Sequence, residues 1–543
     1  MWIKAGPARG KTPPNCLVKQ TPPLPKFSHG PTRPAYFHQA NDSQIKIGVL
    51  LQFASTSKKE ACTFTPLRQF RWSRKVHQLH EKHGEVVILS PDAVSCNGDP
   101  KYVHDIYVKN MPKSKYYENF RFHGEVNMFA ELDNAQHLRY KKMIQGLYSK
   151  TAVFNPKNTT RNNIVENVRE LVNQVYLTSV SGEKPDLLNA ESKLNPHGKG
   201  HQVGSGSWFH PSQKKTGLGI DVHSLFASLA MDVVSAFELG PHNGTRLLQN
   251  PHHRSILVPH RMVSAMVAWT TQMPRFWSWA AGPAVRSSHR RWSAGSWVSM
   301  SDNLIAGHDT TSIQLTYLCY ELSRPVHHDI QQRLRTEIRA EFGNPRSLAE
   351  CIDDFERVDK LPYLEALFQE NLRVHASTPG AEPRVTSAAY DVVINGKTVT
   401  LPPGTGISCQ PYSMHRDEKV FAQPETWDPE RWLQNKEESL DEYNRRIKEM
   451  QHYMMPFGKG IRMCIGLNIA VIEIKLAMVN LYWRYQSELC SDWCDITPAE
   501  KSGVIHTGTE FARGSSDESM MSKVDSYIMR PYHDECWLEW SEV

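Results

Sequence analysis

The sequence carries little net charge for its length: across 543 residues, 63 Lys and Arg stand against 57 Asp and Glu, a formal +6. That excess is too small to indicate a nucleic-acid partner, which needs a concentrated basic face. Metal-finger cysteine spacing is missing as well. The cysteines at 16, 62, 96, 319, 351, 409, 464, 490, 494 and 536 form no CxxC pair, and Cys490 and Cys494 have no matching histidines elsewhere. Scattered cysteines of this kind fit a reduced, intracellular setting better than a disulfide framework. Long apolar runs are scarce at the start of the chain. Residues 1–45 are rich in proline, lysine and polar residues, and fall short of the roughly 20 apolar residues that span a bilayer. Residues 45–54 are too short and interrupted for a secretory signal. Residues 1–64 are therefore expected to be disordered or aberrant and without a membrane anchor, and residues 65–543 to form one large domain.

What is present reads as ordinary globular sequence, 40% hydrophobic and 22% charged. A helical pattern ends at Gly84, and the β-branched run 85–90 stops at Pro91. Residues 133–149 form a helix that places His137 and Lys141 at i, i+4 on one face. The stretch 190–218, rich in Gly, Ser, Lys and His, reads as a loop or insertion, and 269–297 is tryptophan-rich without a clean period. Helical periodicity returns over 220–239.

A long apolar helix reaching Leu322 is interrupted by Gly307, Asp309, Thr310 and Thr311, poor choices for a helix interior. Such a run makes sense where a helix opens to admit a small ligand, because a threonine hydroxyl can take up a freed carbonyl. Glu370 and Arg373 share a helix face at i, i+3. Residues 385–394, the Asn395-Gly396 turn and residues 398–401 read as a hairpin. An apolar stripe runs through Leu467, Ala470, Val471, Ile474, Ala477, Met478 and Leu481. Residues 514–519 are expected to be polar and mobile, and residues 527–531 to belong to terminal strands.

The stretch that organises the rest is 456–466, with Cys464 in a glycine-rich loop directly before that striped helix. Helix amides and the positive end of a helix dipole stabilise a sulfur anion. Gly458, Gly460 and Gly466 let backbone pass close to a large flat ligand. Arg462 can meet an anionic group on the same ligand. The spacing Phe457-x-x-Gly460-x-Arg462-x-Cys464-x-Gly466 resembles the haem-binding signature of the cytochrome P-450 family of haem-thiolate monooxygenases. Three further stretches resemble family motifs in family order: 306–311, 370–373 and 429–432.

That resemblance implies a mainly α fold with a small β subdomain, haem lying between the oxygen-binding helix and the helix after the cysteine loop. It implies haem b (iron protoporphyrin IX) as cofactor, with Cys464 as the axial iron ligand. Phe457, Gly458 and Gly466 would shape the loop around it, and Arg462, Arg384, His137 and Lys141 would neutralise its propionates. Asp309 and Thr310 would deliver protons at dioxygen, while Glu370, Arg373 and Arg431 would form a structural triad. The implied partners are O2, a hydrophobic small molecule and an NADPH-cytochrome P-450 reductase, in a fungal-type microsomal enzyme of secondary metabolism. By resemblance the chain sits on the cytosolic face of the endoplasmic reticulum, or in the cytoplasm if the anchor is truly missing. Two alternatives stand beside it. A haem-thiolate isomerase, dehydratase or peroxygenase would normally lack the acid–alcohol pair Asp309-Thr310. A catalytically dead haem-binding relic would be a non-enzyme with the same motifs.

Overall fold

The computed structural model describes residues 71–121, 126–183, 219–257 and 298–543. The expected leader over 1–64, the loop over 190–218 and the tryptophan-rich stretch 269–297 lie outside the described residues. Helix α1 (Trp72–His83) ends where Gly84 takes φ +93° and donates its amide to the His80 carbonyl, a left-handed cap that glycine adopts at little cost. Strands β1 (Val86–Ser90) and β2 (Ala93–Cys96) follow as an antiparallel pair. Helix α2 (Asn134–Ile144) starts under the Asp133 side chain, which accepts the Gln136 amide at 2.7 Å. It stops short of Ser149, where the sequence pattern placed its end. Gly146 weakens the helix there, and Ser149 is itself the cap of a separate helix, Lys150–Phe154.

Helix α3 (Thr159–Val175) buries Ile164, Val168, Leu171 and Val175, a stripe at helical spacing. The short strand β3 (Ile220–Asp221) supplies the Asp221 cap of α4 (Val222–Leu239). By length and composition α4 could cross a membrane, yet 78% of it is buried inside the fold. It packs between α3 and α5 (Val298–Ser323), so it is a core helix. From Thr311 to Ser323 α5 is buried on every side, which removes the polar stripe of an amphipathic helix. Helices α6 (His328–Phe342) and α7 (Pro362–Val374) complete the bundle around it, α7 opening on a proline in its first turn.

Strand β4 (Arg384–Val385) belongs to a different sheet from the hairpin β5 (Tyr390–Ile394) and β6 (Lys397–Leu401), although the sequence read them as one run. Thr386 divides them: it exchanges backbone hydrogen bonds with Gly404 and Thr405, and so turns the chain out of β4. The hairpin closes through Asn395 and Gly396, both at positive φ, as a two-residue tight turn requires. Strand β7 (Gly406–Ser408) joins β4 to β2, giving the order β1-β2-β7-β4. Helix α8 (Leu440–Tyr453) carries a Ser439/Glu442 capping box. Helix α9 (Leu467–Arg484) is the striped helix after the cysteine loop, and every residue from Ile472 onward is buried. After it come β8 (Tyr485–Leu489), β9 (Lys523–Ser526), β10 (Ile528–Pro531) and β11 (Trp537–Glu542), with β11 lying between β3 and β8. Residues 514–519 are tied into the core instead of hanging free. The Asp517 carboxylate accepts the Tyr320 hydroxyl and the Thr497 amide, each at 2.7 Å.

Behind α7 lies a buried ionic cluster whose least comfortable member is Lys523. Burial, and then the charge of Arg416, push its amine down to about 7 from an ordinary 10.5. Between those two values the unfolded chain holds the proton that the folded chain has shed, so stability should rise with pH across that window. Urea midpoints at pH 7.5 and 9.5 should show the rise in the native protein. It should be clearly smaller in Lys523→Met; an equal rise in both would contradict the assignment.

Candidate active site

Glu370, itself fully buried, sits at the centre of a brace. Its carboxylate takes a bidentate pair from Arg373 at 2.7 and 2.8 Å, Arg431 Nε at 3.0 Å, the Trp432 indole at 2.9 Å and the Asp428 amide at 2.8 Å. Burial alone would raise the carboxyl, but Arg373, then Arg431 and the Asp428 amide, hold it below its ordinary value. Arg373 spends its other donors on the carbonyls of His415, Pro424 and Thr426. The pair on α7 thus pins the segment 424–432 against the helix.

The cysteine loop is held from both sides. Gly458 and Gly460 have φ +69° and +68°. A side chain at Gly460 would put its Cβ 2.1 Å from the Tyr107 carbonyl oxygen, so only glycine lets the two backbones touch. The Cys464 amide donates to the Phe457 carbonyl at 2.9 Å. Burial pushes the Cys464 thiol up, and the amides of Gly466 and Leu467, with Lys141 between them in strength, pull it down. By its accessible surface the residue is exposed. The buried cysteines have almost no accessible surface.

His137 and Lys141 converge on this loop, as their shared helix face predicts, but what they touch is backbone. Lys141 donates to the carbonyls of Ile461 at 2.9 Å and Met463 at 3.1 Å. His137 places Nε2 3.3 Å from the Ile461 carbonyl and Nδ1 3.2 Å from that of Met128. Burial, and then Arg462, push its ring down to about 4. A neutral ring can donate to only one of these carbonyls. Arg462 reaches the carbonyls of Glu131, Leu132 and Asp133 and the side chain of Asn134, locking the loop to the start of α2. Arg384 donates to Tyr117 Oη at 2.9 Å and to the carbonyls of Glu382 and Pro383 at 3.2 Å.

These residues fit a haem. A thiol pushed up in this way needs a positive centre to become a thiolate. Arg462 is pushed down to about 10 by burial and then by the neighbouring charge of Arg384. Two cations close enough to repel are what an anionic ligand such as a propionate would relieve.

On α5, Thr310 Oγ1 donates to the Ala306 carbonyl at 2.6 Å, the back-bond expected of threonine in a weakened helix. Ala306 is exposed and Leu304, Ile305, Gly307 and Thr310 are half-buried, whereas the helix is buried from Thr311 onward. Gly307 has a packing reason too: a Cβ there would meet Val234 at 2.8 Å. The Asp309 carboxylate is buried, 2.8 Å from Nε2 of His308. Sequence reading missed what fixes this turn. Ser377 Oγ donates to the Thr310 carbonyl at 3.0 Å and accepts from Gln314, which also reaches the His375 carbonyl. Asn371 on α7 donates to Gln314 in turn. Also missed was an aromatic cluster of Tyr116, Tyr117, Phe120 and Phe129, against which Tyr527 rests at 4.8 Å from Phe120. Neither group has a sequence spacing that would have shown it.

Residues 297–511 match the family model of cytochrome P-450. Over those residues the chain carries a cytochrome P-450 domain. Among curated P-450 proteins it is 27% identical to the monooxygenase BOT1 of Botryotinia fuckeliana, over 77% of this chain and 81% of that one. It is 24% identical to the monooxygenase orf2 of Aspergillus niger, over 76% and 80%. Against cytochrome P-450 3A12 of Canis lupus familiaris identity rises to 32%, but the match spans 35% of this chain and 33% of that one. The haem domain of cytochrome P-450DA shares the fold, with a TM-score of 0.56 at 16% identity over 87% of this chain and 92% of that one. Like its fungal relatives, this P-450 chain is a haem-dependent oxidoreductase that incorporates oxygen.

Proposed function

We propose that this P-450 inserts one atom of O2 into a hydrophobic small molecule, with haem b held through Cys464. The observation that carries the reading is Cys464, exposed in the glycine loop just before α9, with the Gly466 and Leu467 amides beside it. A cysteine-ligated haem supplies a strongly donating axial thiolate that favours cleavage of the O–O bond. The chain's own residues do the rest. The two amides temper the donation of the sulfur. Arg384, Arg462 and Lys141 form a cationic rim for the propionates, with the neutral ring of His137 beside them. Asp309 supplies protons at this turn of α5, and Thr310 positions them through a hydroxyl that can leave the Ala306 carbonyl. Phe120, Phe129 and Tyr527 supply an apolar surface suited to a hydrophobic substrate. Electrons come from NADPH through a flavin reductase. The setting is fungal secondary metabolism, on the cytosolic face of the endoplasmic reticulum. The intact Asp309-Thr310 pair favours this over an isomerase or peroxide user.

Spectra of the purified protein test the reading. Reduced protein with carbon monoxide should give the red-shifted Soret band of thiolate-ligated haem, and NADPH should be consumed once a reductase is added. Without that band the reading falls. Thr310→Ala should release peroxide and lower product per NADPH several-fold while leaving the band in place; unchanged coupling would remove Thr310 from its role.

A further inference from the structure

The cationic rim carries a carboxylate that neither the motifs nor the brace on α7 explains. Glu382 is pinned by its backbone on two sides. Its amide donates to the Cys409 carbonyl at 3.3 Å, and its carbonyl accepts the Tyr107 hydroxyl at 2.9 Å and Arg384 at 3.2 Å. This fixes where the side chain starts. Its two carboxylate oxygens lie 3.5 and 3.6 Å from the position a Cβ would take at Gly458, so the acid rests directly on the cysteine loop. Arg384 Nη2 stands 3.6 Å away, beyond hydrogen-bond reach. Neither carboxylate oxygen accepts a hydrogen bond among the described residues, and the side chain stays 25% exposed beside an Arg384 that is 3% exposed. Lys113 and Arg384 are the cations whose fields reach it. A carboxylate held this close to the cysteine loop, paired with Arg384 only at ion-pair distance and without a hydrogen bond, adds a negative field at that loop.

We propose that Glu382 is a positioning residue for the electrostatics of the cysteine-ligated centre, its negative charge holding that centre in the oxidised state. The inference rests on the haem-thiolate reading above. Adding an electron to the ferric centre places more negative charge beside a fixed anion, so the anion makes reduction harder. Groups around a metal ligand tune a reduction potential in this way.

The test is the ferric/ferrous midpoint of the full-length, haem-loaded protein, followed at the Soret band during reductive titration. Glu382→Gln should move the midpoint to a more positive potential. Glu382→Asp, which keeps the charge, should stay near the wild type, and so should Glu437→Gln, which removes an exposed acid on the segment leading into α8. A Gln variant at the wild-type midpoint overturns the proposal, as does an equal shift in the Asp or Glu437 variants. If the Gln variant does not load with haem, Glu382→Met carries the same expectation and the same overturning result. A wild type that lacks the carbon monoxide band defeats the haem reading and this inference together; a band with no shift defeats only the role of Glu382.

Discussion

Cys464→Ala should leave a protein with no red-shifted carbon monoxide band at all, and with haem content reduced to what loose adsorption supplies. Cys96, Cys319, Cys409, Cys490 and Cys536 are buried among packed side chains, and burial pushes the Cys96 and Cys319 thiols far up. The loop itself should survive, because its shape depends on the Cys464 amide, the glycines and the carbonyls gripped by Lys141, not on the sulfur. Far-ultraviolet circular dichroism of the variant should therefore match the wild type while the absorbance does not. A variant with an unchanged spectrum would sink the ligand assignment.

Glu370→Gln should be the most damaging substitution for folding. The amide keeps the volume but places a donor where Arg373, Arg431, the Trp432 indole and the Asp428 amide all need an acceptor. Breaking one side of a buried ion pair costs about 3–5 kcal/mol, against a total stability of roughly 5–15 kcal/mol for a typical protein. Soluble yield should collapse, and any folded fraction should melt well below the wild type. Arg373→Lys should fail almost as badly, since a lysine cannot supply the bidentate pair and reach three carbonyls at once. A Glu370→Gln protein with wild-type yield and melting temperature would show that the brace is dispensable.

Much of this site was legible because its signals are local. The end of α1 at Gly84, the stripe on α9 and the Glu370/Arg373 face each need only a few neighbouring residues to be seen. The i, i+4 spacing of His137 and Lys141 correctly put them on one face and beside one another, and both reach the Ile461 carbonyl. That the target is a loop carbonyl depends on a contact between segments more than three hundred residues apart, which no spacing encodes. The same holds for Ser377, Tyr527 and Glu382, whose contacts with Thr310, Phe120 and Tyr107 join segments far apart along the chain. The errors at the end of α2 and the start of the hairpin have the opposite origin. Gly146 and Thr386 are ordinary residues whose local effect is decided by what surrounds them.

The tether from Thr310 through Ser377 and Gln314 to Asn371 ties the Thr310 turn of α5 to the helix that carries the brace. A substitution at Ser377 would therefore be felt in the melting temperature as well as in the product. The aromatic contact between Phe120 and Tyr527 instead joins the end of a short helical turn to the bend between β9 and β10. If this enzyme acquires new substrates, by selection in nature or in the laboratory, the changes that survive should accumulate around Phe120 and Tyr527, and the turn at Ser377 should stay as it is.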